Sequence, residues 1–122
     1  MSFDASTIRS TQEATQAWTL DDVRATFKAC EGLFHALGDP ARQAIILLLA
    51  EHGRLNVNQI TDTTVLSRPT VSHHLKVLKD AGMLELSREA RENYYSLAWD
   101  EPVGRLKLLV DQAQMTCASR KP

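Results

Sequence analysis

Cysteine is scarce, with two residues in 122, at positions 30 and 117. So few, so far apart, cannot form the cross-linked framework of a small secreted protein, and burial has to hold the fold. Charge of one sign is missing as well. Fourteen basic residues face fifteen acidic ones, a net charge of −1, so no bulk field announces a polyanionic partner. The longest apolar run, Ala44 to Ala50, is far too short to cross a bilayer. The first residues lack the charged-then-apolar pattern of an export signal. There is no glycine-rich phosphate loop and no nucleophile-elbow motif. The paired acids Asp21/Asp22 and Asp100/Glu101 fall at helix starts, where the macrodipole explains them. These absences predict an intracellular, cytoplasmic protein with reduced thiols, no cofactor, no membrane contact and no enzymatic activity.

What is present is an ordinary globular composition, 43% apolar and 24% charged. A chain of 122 residues suits one domain with a modest core, a size that often adds a subunit interface. Charge is locally uneven. Residues 1–40 carry three basic against six acidic side chains, and residues 67–91 carry five basic against three acidic. Ser2 to Ala17 is rich in Ser, Thr, Ala and Gln, which predicts a flexible arm over residues 1–18. A folded domain is expected over residues 19–118, followed by a short tail, residues 119–122.

The apolar positions Leu20, Val23, Phe27, Cys30, Phe34 and Leu37 are spaced by threes and fours, so they predict one helix with an apolar face, closed by Gly38. Asp39-Pro40 opens the next helix, with Asp as cap and Pro in the first turn. That helix runs through the dense apolar block Ile45 to Leu49 and stops at Gly53. Asn56-Val57-Asn58-Gln59 has the form of a capping box and starts a short helix to about Asp62. After a turn, Ser67 caps a further helix that runs to Ala81 and stops at Gly82. Met83–Ser87 and Asn93–Ala98 read as two strands, joined by a polar hairpin tip, Arg88 to Glu92. A last helix runs from about Asp100 to Ala118, with Val103, Leu106, Val110, Ala113 and Cys117 on its apolar face. The expected fold is mainly α with a two-stranded β wing, in the order α-α-α-α-β-β-α.

The Ser67–Ala81 helix carries the functional signal. At about 100° per residue, Val71, Leu75 and Leu78 share one side, and Pro69, Ser72, His73 and Lys76 the opposite one. Arg68, Thr70 and Lys79 flank the polar side. A short helix, a turn and a polar, basic helix make the helix-turn-helix plan, in which the second helix enters the major groove. Ser, Thr, His, Arg and Lys supply the donors and acceptors that base edges and phosphates require. Arg88 and Arg91, at the wing tip, are placed to reach the adjacent minor groove or its phosphates. The competing reading is a winged-helix module whose polar face docks a protein.

From Ser67 to Gly82 (SRPTVSHHLKVLKDAG) the sequence resembles the ArsR/SmtB family of prokaryotic repressors. Phe34 to Arg42 resembles the family's ALxDPxR junction, and Arg91 to Leu97 resembles its second wing strand. The resemblance implies a winged helix-turn-helix repressor, homodimeric through its first and last helices, that leaves its operator when an inducer binds. The amphipathic first and last helices fit that dimer role, with Leu20, Val23, Phe27, Cys30, Phe34, Leu106, Val110, Ala113 and Cys117 as interface candidates. Two-fold symmetry then implies an inverted-repeat operator on double-stranded DNA, with half-site centres roughly 34–36 Å apart. The DNA-facing set is Ser67, Arg68, Pro69, Thr70, Ser72, His73, His74, Lys76, Lys79, Arg88 and Arg91, although His74 also lies near the core edge.

The metal-sensing pattern of the family departs here. Its arsenic and cadmium/lead sensors carry Cys-x-Cys where this chain has Asn56 and Asn58, and its zinc sensors use His on the last helix, where this chain has none. Adjacent His73 and His74 point about 100° apart and cannot chelate together. No metal site is expected, and the inducer is left unidentified. Cys30 and Cys117 read first as small buried hydrophobes; the alternative is a thiol switch, or a soft-metal or arsenic site, formed by the pair.

Overall fold

The computed structural model describes residues 18–118, with side chains as far as residue 116. Apart from Trp18, the arm expected over residues 1–18 lies outside the described residues, as does the tail at 119–122. The elements in chain order are α1 (Leu20–Ala29), α2 (Glu31–Leu37), α3 (Pro40–His52), β1 (Arg54–Asn56), α4 (Val57–Thr63), α5 (Arg68–Asp80), β2 (Leu84–Glu89), β3 (Glu92–Leu97) and α6 (Asp100–Ala118). They fall into two compact units. Among the described residues, one joins the segment up to Cys30 to the segment from Gly104, and the other is Glu31–Val103. No described helix is long and apolar enough to cross a membrane.

In the first unit, Thr19 and Asp22 form a capping box that starts α1. Val23, Cys30 and Leu109 are buried together, with Leu106 packed against them. Thr26 hydrogen-bonds Gln112 at 2.5 Å, so the two buried polar side chains satisfy each other. The apolar stripe predicts one helix from Leu20 to Leu37, and here the structure differs, because the helix is interrupted at Cys30. The Cys30 N–H is shared between the carbonyls of Thr26 (3.0 Å) and Phe27 (3.1 Å), which tightens the last turn. Arg105 Nη1 donates to the Ala29 carbonyl at 2.6 Å, a group that would bond within a continuous helix.

The second unit has the larger core. Leu33 and Ala36 of α2, Ile45, Ile46 and Leu49 of α3, Ile60 of α4, and Val71, Leu75 and Leu78 of α5 are buried, together with Met83 and Leu84. Asp39 caps α3 by accepting from the amides of Ala41 and Arg42. Arg42 and Gln43 then reach back over the end of α2. Arg42 Nε donates to the Ala36 carbonyl (2.8 Å), Arg42 Nη2 to the His35 carbonyl (2.9 Å) and Gln43 Nε2 to the Leu37 carbonyl (2.7 Å). Side chains of one helix thus satisfy the orphan carbonyls of the helix before it. The Asn56/Gln59 capping box starts α4 as the sequence implies.

The hairpin β2–β3 is antiparallel, with Leu84 opposite Leu97 and Glu89 opposite Glu92. A third strand, β1, adds to β3 to give the order β1-β3-β2, with Arg54 opposite Ser96 and Asn56 opposite Tyr94. The expected two-stranded wing is therefore present with one extra strand on its flank. The tip is also tighter than the five-residue loop expected from Arg88 to Glu92. Arg88, Glu89 and Glu92 belong to the strands, and only Ala90 and Arg91 turn the chain, at φ 50° and 70°. Positive φ at both central residues is the type I′ signature, which matches strand twist but disfavours residues with a Cβ. Replacing Ala90-Arg91 by Asn-Gly is expected to raise the unfolding free energy by about 1 kcal/mol, read from urea melts at unchanged slope.

Candidate nucleic-acid interface

Helix α5 presents a one-sided surface. Val71, Leu75 and Leu78 are fully buried, while Ser67, Arg68, Pro69, Thr70, Ser72, His73, Lys76 and Lys79 are exposed. The division follows from sequence spacing, since apolar residues at i, i+4 and i+7 seat one side and leave the polar side to solvent. At its N-terminus, Ser67 caps the helix by accepting from the Thr70 amide, and the Ser67 and Thr70 hydroxyls share a 2.9 Å hydrogen bond. Arg68 Nη1 donates to Asn58 Oδ1 at 2.9 Å and so ties the start of α5 to α4.

Asn56 and Asn58, which stand where the resembling soft-metal sensors have thiolates, are both occupied structurally. Asn56 caps α4, and Asn58 holds Arg68. Among the described residues, no three His, Cys, Asp or Glu side chains gather as a metal ion would require. Cys30 is buried beside Val23 and Leu109. The side chain of Cys117 lies outside the described residues, so the suggested pairing with Cys30 does too.

One member of the sequence-derived set belongs elsewhere. His74 is only 8% exposed and its Nδ1 lies 3.3 Å from Arg42 Nη1, so it is a core residue and not part of the DNA-facing surface. The reason is angular, because His74 follows Val71 by three positions and precedes Leu78 by four, which places it on the buried side. Arg42, itself 6% exposed, also sits 3.4 Å from Asp39. The Asp39 carboxyl is held below its ordinary value, first by the Ala41 amide, then by the Arg42 amide and charge.

The wing brings two more cations to the surface, Arg88 and Arg91, both exposed. Arg88 Nη1 donates to Asn93 Oδ1 at 3.3 Å across the hairpin. A second cluster went unseen in the sequence. Arg54 on β1 pairs with Glu89 on β2, and its guanidinium stacks 4.2 Å over the Tyr94 ring on the intervening strand. Its position opposite Ser96 was hidden because β1 is three residues long and its partner lies some forty residues away.

An open basic helix behind a short helix, followed by a hairpin with arginines near its tip, defines a winged helix-turn-helix regulator. The profile of "Bacterial regulatory protein, arsR family" matches residues 39–85. An HTH-type transcriptional regulator of Methanocaldococcus jannaschii is 42% identical over 85 residues, covering 70% of this chain and 93% of the relative. The HTH-type transcriptional repressor SmtB of Mycobacterium tuberculosis is 41% identical over 75 residues, which span 62% of this chain and about half (55%) of that relative. The crystal structure of an ArsR family transcriptional regulator has the same fold, with a TM-score of 0.66 at 23% identity over 77% of this chain and 95% of that one. The chain belongs to the ArsR family of transcriptional regulators, and the relatives named here are regulators and repressors, not enzymes.

Charge on the exposed side of α5 is partly neutralised from within. Lys76 Nζ lies 2.9 Å from Asp80 Oδ2, one turn further along α5. The hydrogen bond and charge of Lys76 hold the Asp80 carboxyl below its ordinary value, and those of Asp80 raise the Lys76 ammonium. Because the folded value of Asp80 is the lower one, its contribution to stability is present above the unfolded value and is lost as pH falls through the folded one. A carboxyl-detected NMR titration should show Asp80 returning to the ordinary range in Lys76→Met. Glu89, held low by Arg54, should not move.

Proposed function

We propose that the protein is a homodimeric, sequence-specific DNA-binding repressor that reads an inverted-repeat operator and is released by an inducer. The observation that carries this reading is the open side of α5, where Ser72, His73 and Lys76 face solvent while Val71, Leu75 and Leu78 anchor the helix. In the proposed complex two α5 helices enter successive major grooves, about one helical turn apart. Ser72 and His73 meet base edges, while Arg68, Lys76 and Lys79 contact phosphates or bases. Arg88 and Arg91 follow the flanking backbone or minor groove. The repressor role of the relative SmtB supports the direction of control.

Dimerisation is supported by the apolar side chains that α1, α2 and α6 leave exposed. Phe27 is 51% and Val110 48% exposed, with Leu20 and Phe34 also open. Exposed aromatics and aliphatics on amphipathic helices of a small chain suit a subunit interface. Val23, Cys30 and Leu109 pack within the protomer, which leaves Phe27, Phe34 and Val110 as the stronger contacts among the candidates. The inducer would act by favouring a dimer whose two reading helices no longer match the groove spacing. A site away from Asn56 and Asn58 is supported by the structural roles of those two side chains in the helix-turn-helix.

Gel-shift and anisotropy assays on the chain's own promoter DNA test this directly. Binding should weaken steeply with salt, since phosphate contacts release counterions. Lys76→Ala should weaken binding to all sequences alike and reduce the salt slope by about 1, whereas His73→Ala should relax discrimination at one base pair by about 1–3 kcal/mol. Absence of any salt-dependent retardation would favour a protein-docking module instead. Sedimentation should return twice the mass of the 13.6 kDa chain, and Phe27→Asp should return the single mass.

A further inference from the structure

We infer that Arg42 and His74 are positioning residues, which fix the rotation of α5 about its own axis so that its exposed side chains meet base edges. The inference rests on the DNA-binding reading above and adds to it a residue pair that never touches DNA. Three observations carry it. Arg42 and His74 are both buried and joined at 3.3 Å between Arg42 Nη1 and His74 Nδ1. The other guanidinium nitrogens are committed to the backbone of α2, at Ala36 and His35, and Nη1 also lies 3.4 Å from the carboxylate of Asp39, which caps α3, so the guanidinium is referenced to the facing ends of α2 and α3. His74 is adjacent to His73 on α5, with Ser72 one position before that.

Besides His74, the buried anchors of α5 are Val71, Leu75 and Leu78, and the Arg68–Asn58 bond ties its exposed first turn to α4 through two flexible side chains. Their burial is strong but non-directional, so it holds the helix down better than it fixes its rotation. A rotation of about 20° would carry a side-chain tip about 5–6 Å from the axis through about 2 Å. That displacement exceeds what a hydrogen bond to a base tolerates. A directional bond from the buried side removes this freedom. A guanidinium keeps its protons, so the direction of the bond is settled: Nη1 donates and Nδ1 accepts. A ring that accepts at Nδ1 carries its proton on Nε2.

The test combines one spectroscopic and one binding readout on the full chain. Imidazole ¹⁵N NMR of the wild type should show His74 as the Nε2–H tautomer; an Nδ1–H signature would overturn the inference without any variant. His74→Leu keeps an apolar fill and removes the acceptor, and His74→Asn supplies an amide oxygen near the place of Nδ1. On the promoter fragment, His74→Leu should lose about tenfold in affinity while its affinity for random-sequence DNA and its salt slope stay unchanged. His74→Asn should regain most of that loss. A purely structural role predicts instead that both DNAs weaken together, in step with the melting temperature, and that result overturns the proposal. Undiminished promoter preference in His74→Leu overturns it as well. A wild type with no promoter preference would sink the DNA-reading assignment and this inference with it.

Discussion

The buried guanidinium of Arg42 is the constraint that links α5 to the two helices before it. A charge removed from water has to be matched donor by donor, or it destabilises the fold that holds it. Arg42 meets that demand with two carbonyls at the end of α2, the carboxylate that caps α3, and an imidazole on α5. Three helices are therefore referenced to one planar group. Lysine could not replace it, because a single ammonium cannot address four acceptors in a plane. The Asp-Pro-x-Arg stretch thus does more than start a helix. Asp39 and Pro40 begin α3, and Arg42 then reports the position of α2 to α5.

Much of this was legible in sequence because it is local. The caps at Thr19, Asp39, Asn56 and Ser67, and the stop at Gly82 (φ 81°), are written in residues a few positions apart. The exposed side of α5 follows from helical period alone. What could not be read is what is set by distant partners. The strand Arg54–Asn56 is too short to show a period and exists because β3 offers it an edge. At the break at Cys30 the Ala29 carbonyl is taken by Arg105, 76 positions further along the chain. Spacing put His74 near the core edge of α5 and still left it in the DNA-facing set, and only the structure supplies Arg42 as the partner that accounts for its burial.

The two asparagines at 56 and 58 illustrate how a position can change employment within a shared fold. In this chain one amide closes the start of α4 and the other grips the first residue of α5. Both roles use a side-chain oxygen acceptor and neither needs a metal. The helix-turn-helix is thereby braced by hydrogen bonds at the place where the resembling sensors carry thiolates. Under the proposed function, signal reception is then separated from the reading head and falls to the helices at the chain's ends. Those helices form a compact unit of their own, with a small core of Val23, Cys30 and Leu109.

At the tip of the wing the chain turns through Ala90 and Arg91, both in a backbone region that glycine occupies freely and they do not. Such a site sets two selective pressures against each other. A laboratory screen that rewards heat resistance alone is expected to favour glycine here, and each clone that takes it at position 91 has discarded an exposed guanidinium at the tip of the wing. Variants isolated for robustness would emerge with a quieter wing, and the defect would stay invisible until they were asked to hold a promoter.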